Sequence, residues 1–438
     1  MRRLAPFLGL ALVACSLDVV EPTLVRPADA TDLDVVFCWD DQPNWFAIKN
    51  EGQPWYVVSR IAQQRYPLAV SPKVAIAYGR SFVGSAVASD VTVLYVTAAE
   101  LAQAHCAPLI GSNILYANVA GTGLNDRVFA SISSGFGGTD PTYRNGSPTQ
   151  VRIDGVAPGP GDMLAYLLLQ SGGRPKYILR HAVDAPHRSL LPPLDFLSAE
   201  AAFTDRFPIT VDGGVAADVF ATFLSGIGTV QELGRTSVLN GSGTYIGLPQ
   251  AVLAPGDLHR QTVAAADGRH TSVYTAALGP LDVTLGPMLA APTLAVISAD
   301  TATVLRMRAT LPSQTEYPSF ASATFYQGTF LNRSITVVVS AGYLGGSTGG
   351  GPWEMEVPVL PFLVAEAQLQ SGAETQWQVE AWNSTTALFF GHGGAADGSV
   401  VRCAMATSVT SLKDRGCRSP LFNFPRGAPP EFDGLLSP

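Results

Sequence analysis

Charge is scarce in this chain. Only 14% of its 438 residues are Asp, Glu, Lys or Arg, against about 25% in an average soluble protein. The basic sign is the scarcer, 27 residues against 35 acidic ones, for a formal net charge of −8. With no basic run, the chain lacks the counter-charge that a phosphate backbone or an anionic lipid surface requires, so nucleic acid is excluded as a partner. Cysteine is also sparse, five in all, and no Cys-x-x-Cys pair offers the close thiolate spacing of a structural zinc site. The six histidines, His105, His181, His187, His259, His270 and His392, are scattered, and none forms a His-Glu-x-x-His pair. No strand-and-helix alternation frames a serine nucleophile elbow, and Asn240-Gly241-Ser242-Gly243 misses its spacing and suits a turn. These absences leave no expected cofactor, no metal centre and no assembled catalytic group.

Long hydrophobic runs are missing too. The N-terminal run from Leu4 to Ala14 is about eleven residues, where a membrane-spanning helix needs roughly twenty. Behind Arg2 and Arg3, that run reads as an export signal. It ends on Leu12-Val13-Ala14-Cys15, which resembles the lipobox of bacterial lipoproteins. The resemblance implies a signal peptide at residues 1–14, acylation of Cys15 as the first mature residue, and a membrane contact made through lipid alone. Several acyl chains make such an anchor durable, since each buried methylene contributes about 0.8 kcal/mol. Ser16 stands where an aspartate would signal inner-membrane retention, which points to the outer membrane or cell surface. Loss of Arg2 and Arg3 with the signal makes the mature chain more acidic by two charges.

Four cysteines then remain, Cys38, Cys106, Cys403 and Cys417. An even number in an oxidising compartment suggests two disulfides with three connectivities open. Cys38 with Cys106 and Cys403 with Cys417 is favoured, because each pair then falls within one expected domain. Each would stabilise its domain by about 2 to 4 kcal/mol.

Along the rest of the chain, short runs of β-branched and aromatic residues are broken by Gly, Pro and Asn. That pattern predicts an all-β protein of tandem β-sandwich domains, Ig-like or transthyretin-like, with little helix. The expected divisions are a tether at 15–31, an N-terminal sandwich at 32–111, a second at 112–189, a third β domain at 190–291, a fourth at 292–417 and a loosely ordered tail at 418–438. Thr97 followed by Glu100 predicts the start of one short helix. Asp267-Gly268 predicts a hairpin turn between strands at 257–265 and 271–278.

Val151-Arg152-Ile153-Asp154-Gly155-Val156-Ala157-Pro158-Gly159, followed by apolar strands at 162–169 and 176–180, resembles transthyretin-like and carboxypeptidase-regulatory-like sandwiches. That implies a spacer or interaction unit and brings no catalytic residues with it. Cys38, the segment Pro43-Asn44-Trp45-Phe46-Ala47, Pro54-Trp55 and the stretch from Ser340 to Gly346 together resemble predicted lipoproteins of environmental bacteria. This resemblance implies location and fold only.

Trp39, Trp45 and Trp55, with Phe46 and Tyr56 beside them, are the candidate ligand-binding group. Exposed, they would form a platform for the C–H faces of sugar rings; buried, they would fill a sandwich core. Asp32, Asp34, Asp40 and Asp41 lack the spacing of a calcium loop and read as solvated strand ends. His392, in Gly391-His392-Gly393-Gly394, reads as a glycine turn. The expectation is a non-enzymatic, lipid-anchored envelope protein that presents β-sandwich surfaces to a protein or glycan. An envelope hydrolase acting on polysaccharide or peptide is one alternative, and a structural subunit of an extracellular assembly, joined by strand addition, is another.

Overall fold

The computed structural model describes residues 25–36, 45–58, 65–82, 88–102, 113–133, 135–138, 149–184, 186–298, 304–328, 333–345, 352–363, 367–384, 396–408 and 417. Over these residues the protein is all-β, with one short α-helix. In chain order come β1 (Thr31–Val36), β2 (Trp45–Asn50), β3 (Tyr56–Val57), β4 (Arg65–Val70), β5 (Lys73–Phe82), β6 (Ala88–Thr97) and helix α1 (Ala98–Ala102). Then follow β7 (Asn113–Ala120), β8 (Arg127–Ile132), β9 (Gly135–Gly138), β10 (Gln150–Val156), β11 (Gly161–Leu168), β12 (Lys176–Val183), β13 (Leu190–Asp195) and β14 (Ala202–Phe203). The next group is β15 (Asp205–Val211), β16 (Ala217–Leu224), β17 (Val230–Val238), β18 (Ser242–Gly247), β19 (Leu258–Ala265), β20 (Arg269–Thr275) and β21 (Leu281–Val283). The last comprises β22 (Thr293–Ser298), β23 (Arg306–Leu311), β24 (Phe320–Gln327), β25 (Arg333–Ser340), β26 (Trp353–Glu356), β27 (Thr375–Trp382) and β28 (Val400–Thr407).

The organising element is a twelve-stranded sheet in the order β17-β16-β19-β20-β28-β27-β24-β25-β6-β5-β2-β3. Its seam is the parallel pair β6 and β25, in register from Ser89 opposite Arg333 to Tyr95 opposite Val339. Strands that the sequence pattern assigns to three separate units thus share one sheet. The remaining ladders of this sheet are antiparallel.

Around the seam both faces of the sheet are buried, and strand alternation sorts the side chains between them. Ala75, Ala77, Val91, Val93, Ile335, Val337 and Val339 face one core, where Met307, Ala309, Leu311, Trp353 and Met355 of the small sheet β22-β23-β26 cover them. Val74, Ile76, Tyr78, Leu94, Val96 and Val338 face the other, covered by Leu68 and Val70 of the β1–β4 pair and by Ala98 and Leu101 of α1. The expected capping box starts that helix: the Thr97 amide donates to Glu100 Oε2 at 2.8 Å, and the Glu100 amide donates to Thr97 Oγ1 at 3.1 Å.

At the far end of the sheet, Val219, Val263 and Ala265 pack against Ile209, Val211 and Val283 of the three-stranded sheet β18-β15-β21. The expected hairpin is present, β19 pairing with β20 from His259 opposite Thr275 to Ala264 opposite His270. Gly268 closes it at φ +91°, a left-handed conformation that favours glycine.

The segment from Val151 to Arg180 lies in an eight-stranded sheet, β13-β7-β10-β9-β8-β11-β12-β14. Gly159, at φ +99°, turns the chain after β10, yet β10 and β11 are not neighbours, since β9 and β8 stand between them. Residues from near both ends of the sheet, Ile178 on β12 and Leu191 and Leu194 on β13, meet in a single core. The sheet therefore wraps around its own apolar face. Its outer face, through Phe129, Leu164 and Tyr166, packs on Phe223, Leu233 and Ile246.

Cys403 and Cys417 form a disulfide, with Cα atoms 6.4 Å apart. Cys15, Cys38, Cys106 and the tail beyond 417 lie outside the described residues.

Candidate functional site

The small sheet covers only part of the large one, and a cleft of about 460 Å³ opens beside it. Lys49 on β2, Ala75 on β5 and Tyr95 on β6 lie side by side across the ladders. Ala75 contributes one methyl group between two long side chains, which leaves a hollow in the row. Trp55, just before β3, lines the same cleft, as do Arg306, Glu354 and Glu356 from the small sheet and Pro358 and Val359 after it.

The charged wall is partly locked. Arg308 and Glu356 are cross-strand partners, and the Arg308 guanidinium donates to Glu356 Oε2 at 2.6 Å. Arg306 reaches the other oxygen of the same carboxylate, forming an ion pair. Glu356 is thereby an acceptor held between two guanidinium groups. Lys49 and Glu354 are exposed, and neither makes a hydrogen bond or ion pair among the described residues.

Tyr95 is the polar aromatic of the cleft. Burial, reinforced by Tyr343 and Glu356 against the opposing pull of Arg306, pushes its phenol well above the usual tyrosine range, so it stays neutral and able to donate. Its ring meets that of Tyr343 edge-on, with centroids 5.3 Å apart, and Lys73 Nζ stands 5.7 Å from the Tyr343 centroid.

Of the three tryptophans singled out in the sequence, Trp39 lies outside the described residues. Trp45 and Trp55 are brought together by a ring the sequence did not point to, that of Phe362. Its centroid is 5.1 Å from Trp45 and 6.3 Å from Trp55. Trp55 is buried as part of the sandwich core, 8% exposed, and lines the cleft with what surface it keeps; Trp45 is half-buried and packs against that core with its indole N–H buried and unpartnered.

No protein-family model matches the chain, and no curated protein matches it. Among solved structures it is similar to a tetra-tandem repeat from the extending region of a large adhesion protein, at 12% identity over 89% of this chain and 97% of that one, with a TM-score of 0.13. It is also similar to the Bacillus anthracis TIE protein, at 9% identity over 85% of this chain and 66% of that one, with a TM-score of 0.11. At such scores neither likeness informs the site.

The other candidates are dispersed. Asp32 pairs with Arg26 at 2.7 Å on the surface, and Asp40, Asp41, His105 and His392 lie outside the described residues. His181 Nδ1 is 3.1 Å from Asp162 Oδ1, while its Nε2 is 3.0 Å from the Val252 carbonyl oxygen. Burial opposes a charge on this imidazole, but the Val252 carbonyl and the Asp162 carboxylate outweigh it and raise its pKa. His187 accepts from the Ile114 amide at 3.3 Å. His259 and His270 are buried within the β19–β20 hairpin. Among the described residues, no three His, Cys, Asp or Glu side chains come together to hold a metal ion. No helix among them is long and apolar enough to cross a membrane. A Gly-x-Ser-x-Gly spacing does occur, from Gly345 to Gly349; Gly345 ends a turn at φ +100°, and Ser347 lies outside the described residues.

Proposed function

We propose that this is an exported, lipid-anchored and non-enzymatic protein that presents the Trp55–Tyr95 cleft to a glycan at the cell surface. The observation that carries the binding reading is the shared lining: two aromatic side chains beside Lys49, Arg306 and Glu354 in one open hollow. Sugars are amphipathic in the same way, with C–H faces that pack on rings and hydroxyls that both donate and accept. Its volume falls within the range of about 300 to 1,000 Å³ common to small-molecule sites. Glu356, held as an acceptor by two guanidinium groups, is kept from serving as a proton donor to a glycosidic oxygen.

Export and anchoring rest on Arg2, Arg3, the apolar run to Ala14 and Cys15. Intact mass of the protein from its native membrane should show acyl mass that Cys15→Ala removes; an unmodified chain would defeat the anchor. For the site, the full chain is screened against an array of bacterial and host polysaccharides. Retention of a glycan by the wild type and its loss in Trp55→Ala is the expected result, and equal retention by both would remove the cleft from consideration.

Strand addition between copies is a second reading, favoured by one edge. β22 has a single ladder partner, carries no charge in Thr293-Leu294-Ala295-Val296-Ile297-Ser298, and leaves Val296 62% exposed. Sedimentation that grows heavier with concentration, and stops doing so in Val296→Lys, is its signature.

A further inference from the structure

We infer that the ligand of this cleft is an uncharged hexopyranoside, held by Lys49 and Glu354 as a donor and acceptor pair beside the Trp55 and Tyr95 rings. The inference rests on the glycan reading and narrows it. Four charged side chains line the cleft, two of each sign, Lys49 and Arg306 against Glu354 and Glu356, and Arg308, outside the lining, pairs with Glu356 as well. An anionic sugar would face both carboxylates and a cationic one both basic groups, each leaving a lining charge without compensation. A neutral ring meets neither penalty.

The balance is also divided in a useful way. Glu356 is committed to Arg306 and Arg308, which fixes that wall whether or not a ligand is present. Lys49 and Glu354, which make no hydrogen bond or ion pair among the described residues, sit on opposite sheets, β2 and β26, with Glu354 in the field of Arg308. Lys49 has an ammonium group with only donors, and Glu354 a carboxylate with only acceptors at neutral pH. Sugar hydroxyls satisfy both at once, donating to Glu354 and accepting from Lys49. Tyr95, kept as a neutral phenol, adds a further donor. Trp55 and Tyr95 supply the apolar contact, and Ala75 between Lys49 and Tyr95 makes the room for it.

The test is a titration of the full chain, followed by tryptophan fluorescence and by calorimetry, with neutral gluco-, manno- and galacto-oligosaccharides and with uronic-acid oligosaccharides of equal length. The neutral series should include a ligand whose affinity is unchanged between low and high salt, because no ionic pair forms for salt to screen. Lys49→Ala and Glu354→Gln should each weaken it about tenfold, the loss of one charge-assisted hydrogen bond. Both side chains are exposed, so an unaltered thermal transition serves as the check that the variants fold. Preference for uronate oligomers with affinity falling as salt rises would overturn this inference and leave the glycan reading standing. Equal affinity in wild type and both variants would also overturn it. Binding of neither series would overturn both readings.

Discussion

Ser340 donates its hydroxyl to Glu100 Oε2 at 2.6 Å, across 240 positions of sequence. The same carboxylate oxygen receives the Thr97 amide and hydroxyl, so one group caps α1 and ties it to the end of β25. Ser340 is fully buried, and its hydroxyl also receives the Tyr343 amide at 3.1 Å, which sets the turn that carries Tyr343 to Tyr95. Next to it, a Cβ on Gly342 would stand 2.6 Å from Glu100 Oε1, so only glycine fits without displacing the carboxylate. The chain of contacts runs from a helix cap to the aromatic rim of the cleft.

Ser340→Ala should therefore cost about 1 to 3 kcal/mol, because it leaves buried partners unmatched. Glu100→Ala should cost at least as much, since the capping box goes as well. Urea denaturation of the two single variants and the double variant measures their coupling. A double variant less destabilised than the sum of the singles is expected for residues that share a bond; strict additivity would separate the helix cap from the turn.

His259 and His270 make stability depend on pH in a defined window. His259 is fully buried and His270 is 5% exposed. His259 Nε2 accepts the Leu248 amide at 3.0 Å, which requires the neutral ring. Burial pulls both pKa values down from 6.5 to about 4, with Asp267 opposing the shift at His270. Between pH 6.5 and 4 the unfolded chain binds more protons than the folded one, so stability falls as pH falls, by up to about 1.4 kcal/mol per pH unit for each histidine. His181 has the opposite sign: its raised pKa favours the folded state below 6.5, an advantage lost as pH rises through the raised value. Unfolding free energies from pH 7 to 4.5 should decline, and His270→Leu should reduce the slope. A slope unchanged in that variant would mean His270 does not drive the acid response.

Gln261 is a buried side chain whose two amide atoms both lack hydrogen-bond partners. It lies between Ala221 and Val273 across the ladders and is fully buried. Removing both polar atoms while keeping the volume should stabilise, since an unsatisfied buried polar group costs about 1 to 3 kcal/mol. Gln261→Met should raise the thermal midpoint, whereas Gln261→Ala should lower it by opening a cavity. A lower midpoint for the methionine variant would refute the claim that the unpartnered amide costs stability.

What could be read from the sequence was local. Thr97 and Glu100 are three residues apart, and the β19–β20 hairpin turns on Asp267-Gly268, so spacing alone was enough to place both. The parallel pairing of β6 with β25 joins segments more than 200 positions apart through apolar pairs such as Val93 opposite Val337, and periodicity carries no signal for it. The cleft was half legible. Trp45 and Trp55 stood out by composition, but Phe362 between them and the locked Arg306–Glu356–Arg308 wall come from elsewhere in the chain.

Arg180 is the clasp that closes the eight-stranded sheet. It stands on β12, and its guanidinium donates to the carbonyl oxygens of Pro192 and Pro193 on β13 at 2.9 and 2.8 Å. Those strands lie near opposite ends of the sheet order. Prolines lack an amide hydrogen and cannot extend a ladder as donors, so an arginine side chain takes the place of backbone pairing there. Glu200 completes the arrangement with two contacts to the same guanidinium, at 2.5 and 2.8 Å, and Arg180 holds that carboxyl below its usual range. Arg180→Ala should cost about 1 to 3 kcal/mol through the lost charge-assisted bonds, and Arg180→Lys should recover only part of it, because an ammonium cannot span both carbonyls and a bidentate carboxylate. Hydrogen exchange offers the local readout. The backbone amides of β13, such as those of Leu190 and Leu191, should lose protection in Arg180→Ala while those of β24 and β25 keep theirs; loss of protection in both places would mean that the sheet is not closed locally by this side chain.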